Sequence, residues 1–120
     1  MSITADLIRG HTDTIILALL VKGDSYGYRI NKAIRTATSG EYELKEATLY
    51  TAFRRLEEAG CIRSYWGNEE SGARRRYYSL TEQGRAEYGR LLEEWRRANR
   101  LINQLIDGDV SPMDEGGAQS

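Results

Sequence analysis

The hydrophobic period of the chain changes twice, and this constrains its fold more than any other feature. Apolar residues recur every three or four positions as far as Ala59, alternate with polar ones around Ile62–Trp66, and return to helical spacing beyond Thr81. Helices, then a hairpin, then a helix make a mainly α protein with a small β-hairpin. With 120 residues the chain suits one compact domain and is too short for two independent cores. Its longest apolar run, Ile15 to Val21, cannot cross a bilayer, and no charged-then-apolar signal peptide precedes it. A cytoplasmic protein with no membrane partner is expected.

The first helix is expected from about Ala5 to Lys22, with Thr4 as N-cap, Gly23 as stop, and Ile8, Thr12, Ile15, Ile16, Leu19 and Leu20 on one face. Gly10 weakens its start by roughly 1 kcal/mol relative to alanine, which favours a bend there. Asp24-Ser25 then caps a second helix with Tyr28, Ile30 and Ile34 inward, ending near Ser39-Gly40. Glu41 to Leu44 reads as a short strand. A third helix follows from about Glu46 to Ala59, closed by Gly60, with Leu49, Ala52, Phe53 and Leu56 on its apolar face. Ile62, Ser64 and Trp66 alternate with Arg63 and Tyr65, residues 67–72 supply the turn, and Arg74 to Leu80 is the return strand. Thr81 caps a last helix that runs to about Ile106, with Tyr88, Leu91, Trp95, Ala98, Ile102 and Leu105 along a seam of alternating three- and four-residue steps. Residues 107–120 hold acids, glycine and the only proline, and read as a disordered acidic tail.

Composition excludes several chemistries. Cys61 is the only cysteine and His11 the only histidine, so neither an intramolecular disulfide nor a cysteine-rich zinc site can form, and no cofactor is called for. Glu57-Glu58 and Glu93-Glu94 are adjacent on helices and diverge by about 100°, so neither is an acid/base pair. No catalytic constellation emerges, and the chain is not read as an enzyme. The net charge of −1 hides an uneven distribution: residues 1–106 hold 17 basic and 14 acidic residues, a net of +3. Arg54-Arg55 and Arg74-Arg75-Arg76 are local basic clusters.

Helix, helix, short strand, helix, hairpin and long helix is the order of a winged helix-turn-helix domain followed by an added helix. A helix fits the major groove, the helix behind it offers backbone and hydroxyl groups to phosphate, and a basic hairpin reaches an adjacent groove. Three stretches carry a family resemblance: Asp24-Ser25-Tyr26-Gly27-Tyr28, then Leu44-Lys45-Glu46-Ala47-Thr48-Leu49-Tyr50, then Arg55-Leu56-Glu57. With Ser64-Tyr65-Trp66-Gly67, Arg74-Arg75-Arg76-Tyr77-Tyr78 and Leu80-Thr81-Glu82, they make residues 7 to about 106 resemble the PadR family of transcriptional regulators. The single terminal helix resembles the small subfamily, and Glu94-Trp95 resembles a lactococcal multidrug-resistance member. The resemblance implies a dimeric repressor that binds inverted-repeat operators in double-stranded DNA and is often released by a small aromatic compound. It implies a winged-helix domain over 1–80 and a dimerisation helix over 81–106. Thr51 and Ala47 depart from the family pattern, where proline and glycine are common; both departures suit a helix and bear on operator identity rather than fold.

Thr48, Tyr50, Thr51, Arg54 and Arg55 on the third helix are the expected DNA-facing residues, since hydroxyls contact phosphate or base edges and arginine binds guanine in a bidentate way. An ordinary solvated helix face would have a similar composition. In the return strand Arg74 and Arg76 point together and Arg75 oppositely, and Arg74 and Arg75 are the expected wing contacts; the alternative is an edge strand protected by charge. Tyr26 either donates to phosphate or packs as a half-buried tyrosine. The seam residues Tyr88, Leu91, Trp95, Ala98, Ile102 and Leu105 are the expected dimer interface. Trp95 is read equally as interface packing or as the wall of a pocket for planar aromatic cations. The resemblance places Leu7, Gly10, Asp13 and Thr14 in such a pocket, and Asn99, one turn beyond Trp95, would add a polar edge. A competing reading is a winged-helix protein-interaction module without specific DNA binding, which would show little salt dependence on DNA. A haem or flavin protein is a third, which nothing in the sequence requires.

Overall fold

The structure, a computed structural model, describes residues 2–68 and 74–108. The elements are α1 (Ile3–Arg9), α2 (Thr12–Val21), α3 (Gly27–Ala37), α4 (Glu46–Glu58), β1 (Ile62–Asn68), β2 (Arg74–Leu80) and α5 (Glu82–Ile106). The expected turn beyond Asn68 and the acidic tail beyond Gly108 lie outside the described residues. By its internal contacts the chain falls into two units, Met1–Tyr88 and Gly89–Ser120. This is the mainly helical, winged helix-turn-helix architecture with a long C-terminal helix that the order of periods implies.

Several local expectations are corrected. The first helix is two. Ser2, not Thr4, caps α1 by accepting from the Ala5 N–H at 2.9 Å. The chain then breaks at Gly10–His11, and α2 begins at Thr12, whose hydroxyl donates to the Arg9 carbonyl at 2.7 Å. Asp24-Ser25 does not cap α3. Tyr26 occupies the N-cap, because the Ser25 backbone is drawn out to the hairpin edge: its N–H donates to the Tyr78 carbonyl at 3.1 Å, and its carbonyl accepts from the Tyr78 N–H at 2.7 Å. Glu41 to Leu44 is not a strand either. The Asn31 amide pairs with both backbone groups of Leu44, donating to the carbonyl at 2.7 Å and accepting from the N–H at 2.8 Å, so a side chain does there what a neighbouring strand would do. Tyr28 is 63% exposed rather than inward. The inward position at that end of α3 belongs to Gly27, which is buried.

The core of the first unit gathers Ile16, Leu17 and Leu20 of α2, Ile30 and Ile34 of α3, Leu44, the four expected α4 residues, Cys61, Ile62 and Tyr78. Phe53 is the largest of its fully buried side chains, and its ring stacks on Tyr78 with centroids 3.9 Å apart. Burying one such side chain contributes about 1.5–3 kcal/mol. α4 ends as expected at Gly60, which adopts φ +81° while the Cys61 N–H reaches back to the Leu56 carbonyl and the Gly60 N–H to Glu57. β1 and β2 pair antiparallel from Ile62↔Leu80 to Asn68↔Arg74. Thr81 caps α5 as expected, accepting from the Gly84 N–H at 2.9 Å.

Candidate nucleic-acid interface

α4 is held by its apolar face and offers the other. Ala47, Tyr50, Thr51, Arg54 and Arg55 are exposed and Thr48 is half-buried, while Leu49, Ala52, Phe53 and Leu56 are buried. Tyr50 is pinned from two sides. Its ring meets Phe53 edge-on at 5.4 Å, and its hydroxyl occupies the space that a Cβ on Gly27 would need. The absence of a side chain at residue 27 is therefore what leaves room for the Tyr50 hydroxyl beside α3. The Asn31 pairing with Leu44 fixes the loop that leads into α4. Sequence reasoning misses this bond, since one amide leaves no periodic trace.

Arg54 forms no ion pair among the described residues. Arg55 is committed to Asp13 of α2 through Nε at 3.3 Å and through Nη2 in a shorter second bond. That hydrogen-bonded carboxylate holds the Arg55 guanidinium charged above its ordinary range, against a smaller opposing effect of burial. One ion pair thus joins a residue expected to face DNA to one expected to line a ligand pocket.

The hairpin places its arginines on two faces, as the alternation requires. Arg74 lies over the Trp66 ring at 5.1 Å, and Arg76 over Tyr78 at 5.8 Å, with hydrogen bonds to Ser64 at 2.9 Å and Glu57 at 3.4 Å. Arg75, on the opposite face, lies 4.2 Å above the Tyr26 ring. Arg29 approaches the same ring at 4.9 Å, and Tyr77 meets it edge-on at 5.3 Å. Tyr77 stacks on its cross-strand partner Tyr65 at 5.6 Å, and the Tyr65 hydroxyl donates to Asp24 at 2.6 Å. That bond raises the Tyr65 phenol above the ordinary tyrosine range. Tyr26 is half-buried and packs against Tyr77, and it also carries two arginines, a role that the sequence alone does not offer. Sequence reasoning also misses Arg29, Tyr65 and Tyr77 as parts of this face; the alternation of the two tyrosines with the neighbouring arginines is the signal that could have found them.

The residues expected around a ligand are also located. Leu7 is exposed on α1, Gly10 follows that helix, and Asp13 and Thr14 are half-buried on α2. All four belong to the first unit; Trp95 and Asn99 are exposed on α5 in the second. Of the seam, Tyr88 and Leu91 are half-buried, whereas Trp95, Ala98, Ile102 and Leu105 are exposed. Among the described residues no helix is long and apolar enough to cross a membrane, and no group of three His, Cys, Asp or Glu could hold a metal.

The pattern of the transcriptional regulator PadR-like family matches residues 16–90. An uncharacterised protein of Lysinibacillus sphaericus is 40% identical over 106 residues, which is 88% of this chain and 97% of that protein. The structure of a transcriptional regulator from Clostridium thermocellum superposes with a TM-score of 0.79 at 50% identity, covering 88% of this chain and 99% of that one. A PadR family transcription regulator from Clostridium difficile gives 0.68 at 39% identity, covering 80% and 98%. Members of this family are DNA-binding transcriptional regulators and not enzymes. The exposed hydroxyl and guanidinium groups of α4, the arginines of the hairpin and these matches converge: the chain belongs to the PadR-like family of transcriptional regulators.

Proposed function

We propose that the protein is a homodimeric, sequence-specific repressor. α4 of each subunit enters the major groove through Thr48, Tyr50, Thr51, Arg54 and Arg55, and the hairpin brings Arg74 and Arg75 to the adjacent backbone or minor groove. The observation that carries this reading is the α4 face: hydroxyl and guanidinium groups stand outward on a helix whose opposite side is locked into the core. Tyr26 serves as the platform on which Arg75 rests. The Tyr88–Leu105 seam of α5 joins two copies, so that the recognition helices meet the two halves of an inverted repeat.

A planar aromatic compound that stacks on Trp95 is the proposed effector, with Leu7, Gly10, Asp13, Thr14 and Asn99 as the other residues taking part. Trp95 is 41% exposed, a large accessible area for a tryptophan. Asp13 already shares its carboxylate with Arg55, so a cation drawn to it competes with the recognition helix for the same charge.

Fluorescence anisotropy on the chain's own upstream promoter and on a scrambled duplex at moderate salt tests the first part. Tight binding to the promoter alone is expected; equal weak binding to both would favour the protein-interaction module. Trp95→Ala is expected to cut aromatic-ligand affinity by a larger factor than operator affinity, since Trp95 also stands on the seam, and an unchanged ligand affinity would remove the pocket.

A further inference from the structure

A cleft of about 360 Å³ in the first unit separates the α1–α2 junction from α4, and Arg9, Thr12, Ala47, Thr48, Thr51 and Arg55 line it. The α4 members recur at one- to four-residue steps and share a helix face. Arg9 comes from the last turn of α1, and the break at Gly10–His11 lets that turn end beside α4. Thr12 is buried and donates its hydroxyl to the Arg9 carbonyl, so it fixes the junction rather than facing a ligand. Two guanidinium groups and the hydroxyls of Thr48 and Thr51 remain, and among the described residues no carboxylate lines the cleft. That cationic, donor-rich chemistry suits a phosphate oxyanion.

Both arginines have carboxylate neighbours. Arg9 donates from Nη1 and Nη2 to Asp6 at 2.9 and 2.7 Å, and Arg55 donates from Nε and Nη2 to Asp13. A guanidinium has five N–H donors, so three on each remain for a further acceptor. The Asp6–Arg9 pair is exposed on both sides, and such pairs are weakly held in water. A phosphate can join or displace it.

We propose that this cleft seats one phosphate of the DNA backbone, and that Arg9 is a DNA contact supplied from outside the recognition helix. The proposal rests on the α4 face meeting DNA, and it differs from that reading in a measurable way. A phosphate contact is blind to sequence, so Arg9→Ala should weaken the promoter and the scrambled duplex by the same factor. Losing one contact lowers the slope of log affinity against log salt by about 0.9, which is about eightfold in affinity at 0.1 M salt and about fourfold at 0.2 M. Arg9→Lys should keep most of the slope, because the site needs a cation more than a fork.

Asp6→Asn separates contact from support. If Arg9 served only to hold α1 through Asp6, Asp6→Asn would reproduce the loss; the proposal expects no loss from it. Affinity and slope unchanged in Arg9→Ala on both duplexes, or an equal loss in Asp6→Asn, would overturn the assignment. So would tight, Arg9-dependent binding of inorganic phosphate without DNA, combined with normal duplex binding by Arg9→Ala, since the cleft would then serve a free anion. Failure to prefer the promoter would count against the repressor reading and leave the Arg9 comparison on the scrambled duplex intact.

Discussion

Gly84 is buried on α5, and a Cβ built on it would overlap the Cys61 carbonyl oxygen, a backbone atom that cannot swing away. Gly84→Ala must therefore separate the start of α5 from the turn between α4 and β1, at a cost on the order of 2 kcal/mol, or roughly 10 °C in Tm. Gly89 lies about one and a half turns further along the same helix, and a Cβ there meets nothing within 4 Å. Gly89→Ala should then stabilise the helix by about 0.5–1 kcal/mol, and thermal melts of the two variants should move in opposite directions. The sequence does not separate the two glycines, since both stand inside one helical pattern and only the Cys61 carbonyl distinguishes them. The same holds for Arg55 and Asp13. Their residue types suggest roles, but a pair 42 positions apart leaves no mark on local spacing. The α4 core residues were legible because a 3.6-residue period names a buried face without knowledge of what covers it.

At the scale of elements, the hairpin is held to the start of α3 by contacts that cross from one period to another. The Ser25–Tyr78 bridge, the Tyr65–Asp24 hydrogen bond and the arginine-flanked Tyr26 ring all join the segment before α3 to the wing. Gly67 belongs to this arrangement as well, for the Tyr77 ring occupies the space a Cβ would need. The Tyr65 phenol is raised above the ordinary tyrosine range, so the bond to Asp24 is present through neutral pH and is lost as pH rises through that higher value. Tyr65→Phe should remove part of the late-titrating tyrosine absorbance and hasten amide exchange in β1 and β2, with the α2–α4 core unaffected. Exchange equal to that of the parent protein would show that the Asp24 bond does not hold the wing. The two strands were legible because a pleat fixes a period of two. Their anchor was not, because one bridged residue has no period, and an asparagine standing in for a strand at Leu44 has none either.

At the scale of the whole molecule, the second unit carries a row of exposed apolar side chains along one helix. Trp95, Leu101, Ile102, Leu105 and Ile106 are all more than 40% exposed, and none belongs to the core of the first unit. A helix that leaves so many large apolar side chains in water is expected to cover them with a partner, and the seam of three- and four-residue steps suits a second copy of itself. If two subunits bind two half-sites, joining them makes the second contact intramolecular and raises affinity by about 10²–10⁴ over one subunit alone. Ile102→Glu places a charge at the fifth of the six seam positions, on a side chain that is 51% exposed. Light scattering should show a monomer, and operator affinity should fall by at least about 10², while binding to a single half-site stays at the parent value per subunit. A dimer that survives Ile102→Glu would place the interface elsewhere. A monomer with undiminished operator affinity would mean that one winged helix reads the whole site, and the spacing of the α5 seam would then have no part in DNA recognition.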